Sequence, residues 1–161
     1  MNRLNDIAEF GGKLMLATDI DTALPLIAAE AKSLVDAERC SIFIVDREDN
    51  MLWTKFSDGI GRIVISVDSG IVGDTYKTKE AQLVNNPYDD SRFLQAVDKK
   101  SGFTTKNMIT VPIFDSGREV LGILQVLNKE RDDFDSEDLG RLTFFANYIS
   151  GSIELVLMHE G

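Results

Sequence analysis

Asn107-Met108-Ile109-Thr110-Val111-Pro112-Ile113-Phe114, then Asp115-Ser116-Gly117-Arg118-Glu119, then Val120-Leu121-Gly122-Ile123-Leu124-Gln125-Val126-Leu127-Asn128-Lys129 is the stretch whose reading decides the fold. Two runs rich in β-branched and large apolar residues flank a short polar segment, and Gly117 is free to take the positive φ of a tight reversal. The stretch therefore predicts two antiparallel strands. In the second run Leu121, Ile123 and Leu127 fall on one face and Val120, Leu124 and Val126 on the other, so both faces need covering. These are central strands with packed layers above and below. Pro112 cannot donate to a ladder and predicts a local irregularity.

Working outward, the chain of 161 residues fits one domain, and a domain of that size buries about 70% of its unfolded surface without a staple. Its single cysteine, Cys40, cannot form an internal disulfide, and no apolar run approaches the roughly 20 residues of a membrane span. A reducing, cytoplasmic setting follows, with no membrane partner. The formal net charge of -10 repels phosphate backbones and anionic lipid, which argues against nucleic acid as a partner. The first residues carry one positive charge and no long apolar core, unlike a secretory signal.

Leu4, Ile7, Gly11 and Leu14 lie on one helical stripe, and a second helix follows with Asp21 as N-cap, Pro25 in its first turn and Leu24, Ile27, Ala31 and Leu34 inward. Residues 40–46 and 51–56 read as a second hairpin and 62–66 as a short strand. The junction at 69–76 reads as strand to helix, with Gly70 and Gly73 allowing close backbone approach. A strand at 82–85 precedes a loop whose Asp90 or Ser91 caps a helix running to about Lys100, with Phe93 and Val97 inward and Gly102 ending it. The polar connection 103–107 and the loop 86–93 are where ligand contacts are expected. Asp135-Ser136-Glu137-Asp138 opens a long final helix whose Leu139, Leu142, Ala146, Ile149, Ile153 and Val156 form a heptad seam. That seam, with the stripe on the first helix, predicts a homodimer through the terminal helices.

This order of elements describes an α/β (α+β) sandwich around a central antiparallel sheet of about six strands, with helices on both faces. Together with its motifs it resembles a GAF domain over nearly the whole chain. The residues carrying the resemblance are Glu38-Arg39-Cys40-Ser41-Ile42-Phe43, Gly70-Ile71-Val72-Gly73, Ser91-Arg92-Phe93, Asp98-Lys99-Lys100-Ser101-Gly102-Phe103 with Lys106-Asn107, Val111-Pro112-Ile113, and the run from Gly122 to Lys129. It is most similar to the GAF domains of cyclic-nucleotide phosphodiesterases and bacterial adenylyl cyclases. Those carry Asn-Lys, a later Phe, three residues and Asp-Glu; Asn128, Lys129, Phe134 and Asp138 match, while Leu139 replaces the Glu.

The resemblance implies a Lys129–Asp138 salt bridge that is structural, and a ligand pocket between the sheet and the two shorter helices. Matching positions for the pocket are Ser41, Ser57, Asp58, Val72, Asn86 and Gln125, with main-chain donors near Ile71, Val72 and Gly73 for a phosphate. Three positions depart from the family pattern. Ser57 stands where an aromatic is frequent, with Phe56 on the opposite face, and Asn86 and Gln125 replace acids. The implied function is a non-enzymatic sensor domain of residues 1–161, part of a longer signalling protein, that binds a small molecule such as cAMP or cGMP. It would relay the change through its terminal helices to a covalently linked output domain. The alternative is a ligand-free dimerisation scaffold. Cys40 begins a strand without an activating His, His159 lacks partners, and the acidic run 132–138 lacks an EF-hand's glycine and spacing, so no catalytic or metal site is expected.

Overall fold

The computed structural model describes residues 3–14, 19–58 and 62–160. Helices α1 (Arg3–Leu14) and α2 (Ile20–Val35) lead into strands β1 (Ala37–Asp46), β2 (Met51–Ser57) and β3 (Val64–Ser66). Helix α3 (Gly70–Thr78), strand β4 (Gln82–Val84), a 3-10 turn (Pro87–Asp89) and helix α4 (Gln95–Ser101) follow, then β5 (Met108–Phe114), β6 (Val120–Lys129) and α5 (Ser136–Glu160). The six strands form one antiparallel sheet in the order β3-β2-β1-β6-β5-β4, with the predicted hairpin β5–β6 at its centre.

Both faces of the sheet are covered. Helices α1, α2 and α5 pack one face, where Ile42, Ile44, Ile109, Val111, Leu124 and Val126 meet Leu24, Ile27, Leu34, Phe145 and Ile149. On the other face α3 lies against β5 and β6, and Phe43, Ile123, Val72, Ile71, Met108 and Leu127 form two smaller clusters. Each such side chain taken fully from water stabilises by about 1.5–3 kcal/mol, which is why the helices stay on the sheet. Gly122 is needed where β1 and β6 meet: a Cβ there would lie 2.3 Å from the Phe43 carbonyl oxygen.

Several local expectations are corrected. The α2 N-cap is Asp19, whose carboxylate accepts the Thr22 N–H at 2.8 Å, so Asp21 lies in the first turn and Pro25 inside the helix. At the β5–β6 reversal the positive φ belongs to Arg118 (66°), not Gly117, because the Asp115 carboxylate already organises the turn by accepting the N–H groups of Gly117 and Glu119. The register shifts between Ile113 and Phe114, leaving Leu121 as an extra residue on β6. Val120 consequently joins Ile123 on the α3 face and Leu121 the α5 face, the reverse of simple alternation. Pro112 lies next to this irregularity, two residues beyond the end of the β4 ladder at Thr110.

Helix α4 begins at Gln95 rather than after Asp90 or Ser91, because the Asp90 carboxylate is bound to Arg92 instead of capping a helix. The seam expected at a dimer interface is spent within the chain: Leu142, Ala146, Ile149 and Ile153 are buried in its own core, as are Ile7, Phe10 and Leu14 of α1. The side chains of Leu4 and His159 lie outside the described residues. The carboxylates expected to open α5 do so, and two of them form a reciprocal cap. Asp135 accepts the Asp138 N–H at 2.9 Å and Asp138 accepts the Asp135 N–H at 3.1 Å.

Candidate functional site

Strand register builds the site. Ser57, Ser41, Gln125, Thr110 and Gln82 lie side by side across β2, β1, β6, β5 and β4, so a polar row crosses the middle of the α3 face. Its members hold one another or α3: the Ser41 and Ser57 hydroxyls are 3.1 Å apart, Thr110 and Thr75 2.6 Å apart, and the Gln82 amide donates to Asp74 at 2.7 Å. Gln125 is the exception: its half-buried side chain bonds to none of the described residues, and its amide is open to solvent.

Above Gln125 lies a cavity closed in by Phe43, Ile63 and Ile65 from the sheet side, Gly70, Ile71 and Val72 of α3, and Phe93, Leu94, Val97 and Asp98 around α4; Thr105, Met108 and Leu127 complete it. The space open to the centre of a water-sized sphere is about 60 Å³, and all empty space including the mouth is about 520 Å³. Apart from Asp98 and Thr105 the walls are apolar, and among the described residues no Lys or Arg lines them. Asp98 has both oxygens occupied, accepting from the Tyr88 hydroxyl at 2.6 Å, the Thr105 N–H at 2.7 Å and the Thr105 hydroxyl at 2.8 Å. Ser69 gives α3 no side-chain cap, so the first-turn N–H groups at Gly70, Ile71 and Val72 point their dipole at this region without a side-chain partner.

Ile71, Val72 and Gln125 therefore line the cavity, and Ser41 is its buried neighbour in the floor row. The other expected contacts lie elsewhere. Ser57 opens onto a separate surface groove with Trp53, Lys55 and Arg62. Asp58 accepts the Cys40 N–H at 3.1 Å and pairs with Lys32 at 2.8 Å, which ties β1 to α2. Gly73 is a packing glycine: a Cβ would sit 2.7 Å from the Val67 carbonyl oxygen, and its own N–H is spent on Ser69. Asn86 faces an outer groove with Leu83 and Asn85. Phe56 packs on the helix-covered face, opposite the cavity.

Asp98 and Leu94 were not legible as site residues. An aspartate inside a short polar helix reads as solvated, and only its partners Tyr88 and Thr105, distant in sequence, reveal it as buried. Lys129 and Asp138 meet at 2.5 Å, and neither belongs to the cavity lining. Asn128 turns the chain with φ 61°, its side chain accepting the Lys106 N–H and donating to the Thr104 carbonyl.

Burial pushes the Cys40 thiol far above the ordinary thiol range, which leaves it without thiolate character. Among the described residues no group of three His, Cys, Asp or Glu side chains could hold a metal ion, and no helix is long and apolar enough to cross a membrane.

A family model for the GAF domain matches residues 19–153. The chain is 31% identical over 143 residues to "Probable 3',5'-cyclic phosphodiesterase pde-5" of Caenorhabditis elegans, covering 80% of this chain and 20% of that protein. It is 34% identical over 137 residues to "Dual 3',5'-cyclic-AMP and -GMP phosphodiesterase 11A" of Takifugu rubripes, covering 72% and 15%. It thus spans a fifth or less of the length of these relatives. Among solved structures, the GAF domain from a phosphoenolpyruvate-protein phosphotransferase of Coxiella burnetii superposes with a TM-score of 0.87 at 19% identity, covering 99% and 97% of the two chains. A free methionine-R-sulfoxide reductase from Neisseria meningitidis, in complex with its substrate, gives 0.81 at 18% identity over 95% and 89%.

Proposed function

The chain belongs to the GAF domain family, and from that premise we propose that it is a regulatory sensor module of a cytoplasmic signalling protein that takes cAMP or cGMP in the cavity above Gln125. The observation that carries this reading is Gln125 itself, whose side-chain amide bonds to none of the described residues on the floor of a cavity whose other polar side chains, Asp98 and Thr105, are paired with each other. One donor and one acceptor match the polar edge of a purine, while Ile71, Val72 and Phe93 offer the apolar walls its faces require. The cyclic phosphate would meet the uncapped N–H groups at Gly70, Ile71 and Val72, since no cation lines the cavity and the chain's net charge of -10 opposes an anion elsewhere.

The relay runs through β6. At one end Lys129 pairs with Asp138 at the start of α5; at the other the β5–β6 turn is tied to α5, where Glu154 accepts the Ser116 N–H at 3.0 Å and its hydroxyl at 3.1 Å. A strand pinned to one helix at both ends carries displacement of its middle, at Gln125, to that helix. The outer face of α5 then supplies the output. Phe144, Tyr148, Leu155 and Met158 are exposed and, with exposed Gly151, repeat at alternating spacings of four and three, two residues on from the buried seam. This face is proposed to pair with a second copy, beside a covalently linked output domain.

A second reading is favoured by the cavity's small free space of about 60 Å³, far below the roughly 300 Å³ of a typical ligand site: a ligand-free domain that acts as a dimerisation scaffold. Titration calorimetry with cAMP and cGMP separates the two. Binding that is weakened by Gln125→Ala supports the sensor; no heat from either nucleotide at millimolar concentration supports the scaffold. In thermal shift a ligand at 100 times its dissociation constant would add about 2.7 kcal/mol.

A further inference from the structure

Helix α4 is attached unlike the other helices. Of its seven residues only Asp98 is buried, and no other element packs extensively against it. What holds it is largely polar, beside the half-buried Phe93 and Val97, which rest on Ile71, Met108 and Leu127. Asp98 is clamped by Tyr88 and Thr105, and the segment leading into the helix is gripped by Arg92. The Arg92 guanidinium donates through Nη1 to Asp74 of α3 at 2.7 Å and to Gln82 of β4 at 2.5 Å, and through Nε and Nη2 to Asp90 at 2.9 and 2.6 Å. The next residues, Phe93 and Leu94, are cavity walls. Leu94 closes directly onto Gly70: its Cδ1 stands 3.1 Å from where a Cβ would be, and Gly70 has a φ of 73°.

Two consequences follow from these distances. The cavity, at about 60 Å³, is too small for a nucleotide, so a ligand of that size enters only if a wall moves. The wall 90–101 has no fully buried apolar residue, its anchors being half-buried Phe93 and Val97 and the polar clamps, and segments held by few buried apolar contacts open for less than the global unfolding free energy. We propose that residues 90–101 are a lid over the cavity and that Arg92 is its latch, a positioning residue whose release from Asp74 and Gln82 admits the ligand. This role rests on the cavity being the ligand site. Because the Arg92 and Asp74 side chains are 36% and 37% exposed, salt reaches this clamp, whereas the buried Asp98 clamp is shielded. Lid opening is therefore salt-dependent through Arg92 alone.

Hydrogen exchange on the whole chain tests the latch without needing a ligand. In Arg92→Gln the amides of α4 should exchange about five- to tenfold faster at low salt, the size expected of a charge-assisted clamp discounted for its exposure, with α2 and α5 unchanged. Raising KCl from about 50 to about 500 mM should speed α4 exchange in the wild type and have little effect in Arg92→Gln. Arg92→Lys, which keeps the charge and loses the fork, should fall between them. Wild-type α4 exchanging no faster than α5, or Arg92→Gln accelerating α2 and α5 equally, overturns the latch. With cGMP added at millimolar concentration, slowed α4 exchange supports the lid, and binding that leaves α4 exchange unchanged overturns it as a gate. No cGMP or cAMP binding alongside the salt-dependent α4 result overturns the nucleotide reading while supporting the lid.

Discussion

Replacing Lys129 with alanine should cost this chain about 2–3 kcal/mol of stability, less than the 3–5 kcal/mol typical of orphaning a buried charge. The figure follows from what the Asp138 carboxylate keeps. Its side chain is 1% exposed and its Oδ2 lies 2.5 Å from Lys129 Nζ, so loss of the lysine leaves a buried anion. The Asp135 N–H at 3.1 Å and Arg141 Nη1 at 3.4 Å remain, and each offsets part of the loss. Asp138→Ala also removes half of the reciprocal cap on α5, so its cost should equal or exceed that of Lys129→Ala. Urea unfolding reads both: at about 1–3 kcal/mol per molar, a loss of 2 kcal/mol lowers the midpoint by about 1 M. The double mutant isolates the pair, with an expected coupling of at least about 1.5 kcal/mol; a coupling within about 0.5 kcal/mol of zero would refute the reasoning. Neither variant should change ligand preference, because the cavity lining includes neither residue.

Ile149→Ala, on the buried seam of α5, should cost about 2–5 kcal/mol in the same assay. Leu155→Ala and Met158→Ala, on its exposed face, should leave unfolding nearly unchanged and shift sedimentation toward monomer if that face pairs with a second copy. The carboxylates of Asp90, Asp115 and Asp135 are held below the usual range, Asp90 chiefly by the Arg92 guanidinium, Asp115 by the Glu119 N–H and Asp135 by the Asp138 N–H. With folded values depressed, their contribution is fully present above the unfolded carboxylate pKa of about 4 and is lost as pH falls through the folded values. Asp115→Asn should therefore flatten the acid limb of a plot of melting temperature against pH; an unchanged limb would count against it.

The sheet's centre was legible because β5 and β6 are long, apolar on both faces and joined by a short polar turn, so composition alone demanded layers on each side. Bulges were not legible. The extra residue Leu121 exchanges the faces of Val120 and Leu121 through a register shift that no local preference announces. The heptad seam on α5 was read correctly as a buried stripe and assigned to the wrong neighbour, since periodicity reports that a face is covered and not by what. Within the site, Gln125 and the start of α3 could be read from motifs tied to strand alternation and a helix start. Phe93 and Thr105 fall in the two segments where ligand contacts were expected, and both line the cavity; the burial of Asp98 could not be read, because its bonds to Tyr88 and Thr105 span 10 and 7 residues across an irregular loop.

Helix α5 carries two apolar stripes offset by two residues, and their division of labour bears on how the proposed relay could work. The inner stripe, with Leu142, Phe145, Ala146, Ile149 and Ile153 at 1% exposure or less, interdigitates with the sheet and resists sliding, because each register has its own close-packed fit. The outer stripe faces solvent apart from Tyr148, whose ring and hydroxyl abut Gly11 of α1. A shift of β6 transmitted through Lys129–Asp138 and Ser116–Glu154 would therefore move α5 as a body, and the outer stripe with it. Pinning at both ends matters: with Lys129–Asp138 alone, α5 could pivot about its first turn and leave Leu155 and Met158 in place. Glu154→Ala, which releases only the far pin, should leave nucleotide affinity at Gln125 intact while ligand-dependent changes in exchange vanish from the last turns of α5 and persist in its first. Equal persistence at both ends would show that the core contacts suffice and that Glu154 carries no part of the relay.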